Sequence, residues 1–133
     1  METLWRHPDR NKWLGGGADI PGIHSICVDP RNADTVRVAV SCGGMWVTYD
    51  AGKTWAQSAH GMKFDDGPSS EVESPDGQDP HMMVQSPADP TRFWVQHHAG
   101  IFKSVHLHTA SSSPSYSSNE PFGYPIDGCQ LRL

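Results

Sequence analysis

The clearest pattern in the chain is the alternation Val36-Arg37-Val38-Ala39-Val40, which puts three valines on one face and Arg37 and Ala39 on the other. A half-buried β-strand requires that period of two. Ile23 to Val28 reads as a second strand, and Asp29-Pro30-Arg31-Asn32-Ala33-Asp34 between them supplies residues that turn a chain and cannot extend a ladder. Cys42-Gly43-Gly44 then turns into a third strand, Met45 to Tyr49. The turn Asp50-Ala51-Gly52-Lys53 leads into a short fourth, Thr54 to Gln57. No window sustains a 3.6-residue apolar period, while 13 Gly and 11 Pro punctuate the chain. The pattern predicts an all-β protein. Four antiparallel strands joined in order by tight turns form the meander that a propeller repeats around its axis as a blade.

The meander recurs. With His24 set on His81, Asp29-Pro30 falls on Ser86-Pro87 and Asn32 on Asp89, and Val36, Val38 and Val40 lie over Phe93, Val95 and His97. One residue dropped at the next turn, where insertions are best tolerated, sets Gly44-Met45-Trp46-Val47-Thr48 against Gly100-Ile101-Phe102-Lys103-Ser104. The expected organisation is an N-terminal segment over 1–21, part of a neighbouring blade, and a first blade over 22–58. An acidic surface loop over 59–80 and a second, incomplete blade over 81–108 follow. The loop holds Asp65, Asp66, Glu71, Glu73, Asp76 and Asp79 among Gly, Pro and Ser. The low-complexity tail over 109–133, with Ser111-Ser112-Ser113-Pro114-Ser115, has a composition that cannot repay its ordering entropy and is expected to be largely disordered.

Composition narrows the function classes. The 133 residues carry a formal charge of -5 with no basic cluster, so neither nucleic acid nor an anionic membrane is an expected partner. A mean hydropathy of -0.54, no long apolar run and no apolar stretch after Met1 point to a cytoplasmic protein. Cys27, Cys42 and Cys129 fit neither a disulfide framework nor a zinc spacing, and a hairpin centred near Arg31 places Cys27 opposite about Val36, away from Cys42. Three reduced thiols are expected.

The stretch Thr48-Tyr49-Asp50-Ala51-Gly52-Lys53-Thr54-Trp55 matches, at each fixed position, the Asp-box pattern S/T-x-D-x-G-x-T-W. In this the chain resembles the BNR repeats, a sialidase-like, glycosyl hydrolase-like β-propeller family. Such a motif suits a hairpin turn, since the Asp50 carboxylate can accept N–H groups across it and Gly52 can take a positive φ. Thr54 re-enters the ladder and Trp55 buries a ring between strands. The resemblance implies that the box lies on the outer rim between the third and fourth strands of a blade. There Thr48, Asp50, Gly52, Thr54 and Trp55 are structural. The second copy lacks the box after Ser104, and the sequence reads as truncated or shifted in frame near that point. A closed propeller takes about four to eight blades, so two leave open edges, and self-association or a partner chain completing the ring is expected.

The resemblance also says what an exo-sialidase needs: an arginine cluster, a Tyr activated by a Glu, and an Asp acid/base. Where family enzymes carry Arg-Ile-Pro this chain has Asp19-Ile20-Pro21, which lacks the guanidinium that clamps a substrate carboxylate. No catalytic residue is assigned. His24 and His81 occupy equivalent positions at the start of the innermost strand of each repeat, and His97-His98 lies one strand on. With Asp79 two residues before His81, these four histidines are the candidate ligand-binding residues, against the plainer reading that they cap strand ends. His106-x-His108 is a weaker pair, and no EF-hand or phosphate-binding loop is present. No cofactor and no committed metal site are expected. The sequence thus reads as a non-catalytic, sialidase-like BNR-repeat propeller fragment serving as a binding or interaction module. The alternative is a remnant or subunit of a sialidase-like glycoside hydrolase.

Overall fold

A computed structural model describes residues 1–15, 17–60, 62, 74–98 and 100–104. The chain is all-β in its body, as the alternation predicts. One antiparallel sheet runs β1 (Ile23–Asp29), β2 (Asn32–Val40), β3 (Gly44–Thr48), β4 (Ala56–Gln57) in that order. A second runs β5 (Pro80–Gln85), β6 (Phe93–His97), β7 (Gly100–Lys103). Both are meanders in sequence order, the arrangement of propeller blades. His106, His108, Cys129, the Ser-rich tail and residues 61 and 63–73 of the acidic loop lie outside the described residues. So does the place of a fourth strand in the second sheet.

The β1–β2 turn explains a one-residue departure from the expected register. Asp29 Oδ1 accepts the Arg31 N–H at 2.9 Å, and the Asn32 side chain accepts the Asp34 N–H at 3.1 Å, so the turn closes tightly with Asp29 opposite Asn32. The ladder resumes only at Val28 and Val36, leaving Ala33 to Thr35 as an irregularity on the β2 side. Cys27 therefore pairs with Arg37, not Val36. The fourth strand also starts later than expected, at Ala56, because Thr54 binds back to Asp50 instead of the ladder.

The C-terminal half of β2 is buried on both faces. Val38, Val40 and Trp46 pack against Leu4 and Trp13, which come from the short helix α1 (Glu2–Trp5) and from the end of a 3-10 segment over Pro8–Lys12. On the opposite face Ala39 and Met45 join Met83, Phe93, Val95 and Phe102 of the second sheet, with Ala59 and Met62 filling between. The Arg37 guanidinium lies over the Phe93 ring at 5.3 Å. Trp46 is fully buried, and its indole N–H donates to the Gly43 carbonyl at 2.8 Å.

The first strands of the two sheets lie side by side. The Met83 N–H donates to Ser25 Oγ at 2.9 Å, joining β5 to β1. Gly44, at φ +74°, lets the Pro75–Gly77 segment press onto the start of β3: a Cβ there would meet the Pro75 carbonyl oxygen at 2.2 Å. The outward face of the second sheet leaves Met82, Val84 and Trp94 exposed. Among the described residues, no helix is long and apolar enough to cross a membrane.

Candidate functional site

Three pieces of chain meet at one end of the sheets: the β2–β3 turn, the approach to β5, and the β6–β7 turn. The Gly44 N–H donates to the Gln78 carbonyl at 2.9 Å, which brings the next residue, Asp79, against the β2–β3 turn. Asp79 is buried, and its Oδ1 accepts the Ser41 hydroxyl at 3.1 Å and the Cys42 N–H at 3.0 Å. Cys42 makes this possible by adopting a φ of +45°, unusual for a residue with a side chain. The second carboxylate oxygen, Oδ2, stands 3.0 Å from His98 Nε2 and 3.8 Å from His81 Nε2.

His81 Nε2 and His98 Nε2 are themselves 3.0 Å apart. His24 stacks on His81 with ring centroids 5.7 Å apart and planes at 23°, and its Nδ1 sits 3.1 Å from the Pro80 carbonyl. Two of the four candidate histidines thus meet at Asp79, and a third, His24, stacks on one of them.

The fourth, His97, turns into the core. It is 4% exposed, meets Phe102 edge-on with centroids 5.7 Å apart, and accepts the Asp79 N–H on Nε2 at 3.0 Å. Burial pushes its pKa down to about 4, the neighbouring His98 and His81 adding to the fall against the pull of Asp79. For Asp79, burial works against the charged form, but the Cys42 N–H, the Ser41 hydroxyl and the nearby histidines outweigh it and hold the carboxyl below its ordinary range. It is ionised at neutral pH and offers charge, not a proton.

The Thr48–Trp55 hairpin lies at the other end of β3, a five-residue strand spanning about 16 Å. Asp50 Oδ1 accepts the Thr54 N–H at 2.9 Å and the Thr48 hydroxyl at 2.8 Å, while Oδ2 accepts the Thr54 hydroxyl at 2.6 Å. The Gly52 N–H donates to Thr48 Oγ1 at 2.9 Å, with Gly52 at φ +83° and Ala51 at +58°. These contacts, the Thr54 hydroxyl first, draw the Asp50 pKa down to about 2. Trp55 is half-buried against the Val38–Trp46 cluster, and its indole N–H donates to Thr3 Oγ1, whose own hydroxyl reaches the Gly52 carbonyl. Asp50→Ala is expected to lower the thermal midpoint while leaving the histidine cluster intact, measured by circular dichroism and by the imidazole signals in NMR. Unchanged stability with perturbed histidines would contradict that separation.

Sequence reasoning missed Ser41 and Cys42, which aim the Asp79 carboxylate. Their only sequence signal is that they follow Val40 into the Gly43-Gly44 turn, which marks a bend and not a carboxylate's seat. Cys27 and Cys42 are free thiols, and burial raises the pKa of both.

No family model matches the chain, and no curated protein does. Among solved structures it is similar to a GH74 xyloglucanase from Xanthomonas campestris, with 19% identity and a TM-score of 0.48 over 73% of this chain. The match spans 14% of that enzyme.

Proposed function

We propose that the chain is a non-catalytic, sialidase-like pair of BNR-type blades that works as a binding module, with its ligand held at the Asp79–His81–His98 corner. The supporting observation is that two imidazoles of the second sheet meet one buried carboxylate, with His24 of the first sheet stacked on one of them, at the end of β3 away from the Asp box. Thr48, Asp50 and Thr54 of the Asp box direct their polar atoms into their own turn, which suits a structural role.

The alternative, a remnant or subunit of a sialidase-like hydrolase, is less well supported. Glycoside hydrolysis calls for a carboxylic acid held protonated near neutral pH, and Asp79 is shifted the opposite way. Asp19-Ile20-Pro21 also stands where a carboxylate-clamping arginine is needed. The test is hydrolysis of a fluorogenic sialoside by the purified chain. No turnover above buffer is expected. Robust turnover abolished by changing a single carboxylate or tyrosine would reverse the assignment.

A further inference from the structure

We infer that Asp79, His81 and His98 form a binding site for a divalent first-row transition cation of the zinc class; this rests on the reading of that corner as the ligand site. The three donor atoms, Asp79 Oδ2, His81 Nε2 and His98 Nε2, all lie within 4.8 Å of one another, with separations of 3.0, 3.0 and 3.8 Å. Ligands bonded to zinc at about 2.0–2.1 Å in a tetrahedron lie about 3.3 Å apart, and the observed separations bracket that edge. The donors therefore already stand around a volume of the right size for one ion.

The chemistry of the donors selects the ion. Two neutral imidazoles and one carboxylate suit zinc, copper, nickel or cobalt, whereas magnesium and calcium demand shells of oxygen. Two ring nitrogens and one carboxylate oxygen point at a common place. A cation satisfies all three lone pairs at once.

The surroundings act as a second layer that orients the ligands. Ser41 and Cys42 hold Oδ1, which fixes the direction of Oδ2, and the His24 ring lies flat against His81. His97 is not a ligand, since its Nε2 accepts the Asp79 N–H. Asp79 is buried, His81 is half-buried and His98 is exposed, so one side of the ion faces solvent and keeps a position for water or for an oxygen or nitrogen of a bound molecule. Three protein ligands with an open position are the pattern of zinc sites that do more than brace a fold.

The test is zinc titration of the full chain, free of any histidine tag and stripped with chelator, by calorimetry and by metal analysis after dialysis. Cobalt(II) absorption serves as a check on the coordination sphere. One tightly bound zinc per chain is expected. His81→Ala and His98→Ala should each weaken affinity by about tenfold or more, and His24→Ala by less. Asp79→Asn should also weaken it, but Asp79 supports the β2–β3 turn, so the exposed His98 is the decisive position. Its variant should keep the wild-type circular dichroism spectrum.

Unchanged affinity in His98→Ala overturns the site, as does zinc binding lost only in a His106→Ala, His108→Ala double variant. Absence of zinc binding in a folded wild-type chain overturns the metal alone. The binding-module reading fails separately, on sialoside turnover.

Discussion

Trp46→Ala is expected to remove about 3–5 kcal/mol of folding free energy, the usual cost of truncating a fully buried aromatic side chain. Trp46 is 0% exposed and sits where the N-terminal segment meets the first sheet, among Leu4, Trp13, Val38 and Val40. The Trp13 ring lies 5.5 Å from it and the His7 ring 4.7 Å, edge-on, so its removal opens a cavity between them. The loss of its N–H bond to the Gly43 carbonyl also loosens the turn that precedes β3. Small domains hold only about 5–15 kcal/mol in total, so the variant should lose a large share of its stability. Urea denaturation followed by circular dichroism measures it, with Trp46→Phe as the milder comparison. A loss below about 1 kcal/mol would mean that the N-terminal helices do not close this core.

The second large effect is acid lability set by His97. Its pKa is about 4 in the folded chain against an ordinary 6.5, so between those values the unfolded state takes up a proton that the native state refuses. Stability is full above about pH 6.5 and falls as the pH drops toward 4, by roughly 3 kcal/mol for a shift of that size. Asp79 adds a second stage at lower pH. Its folded pKa lies below the ordinary 3.8, so its contribution is intact above that value and is lost as the pH falls through the folded one. The measurement is the urea midpoint from pH 7.5 to 4 with chelator present. His97→Gln, whose amide oxygen can accept the Asp79 N–H, should flatten the slope over that interval. An unchanged slope would assign the acid lability elsewhere.

The contrast between His97 and His98 shows what sequence could and could not provide. The repeat alignment lays His97 over Val40, a valine of the alternating face, and Phe93 and Val95 precede it at the same parity. Those signals already place His97 inside. Residue type groups it with its neighbour, whereas strand parity separates the two. The strands of the first sheet were legible because each alternates between recognisable turns.

The register at Cys27 was not legible, because a bulge depends on how Asp29 and Asn32 close the turn. Nor were the helical pieces over Glu2–Trp5 and Pro8–Lys12, which are too short to show a period. His24 and His81 could be paired through the repeat. That Ser41 and Cys42 hold Asp79 could not be read, since the contact joins two turns far apart in sequence and follows only from how the sheets pack.

Gly44 carries a consequence for genetics. Any side chain there displaces the Pro75 carbonyl or the Gln57 side chain, and the same peptide segment delivers Asp79 to the histidines two residues after its last 3-10 turn. A random mutagenesis screen for loss of the site should therefore return changes at Gly44, a residue with no donor atom to give, alongside changes at the ligands themselves. Suppressors of such alleles should map to Gln57, whose side chain can move aside without touching any histidine, and not to Pro75, whose clashing atom is its backbone carbonyl.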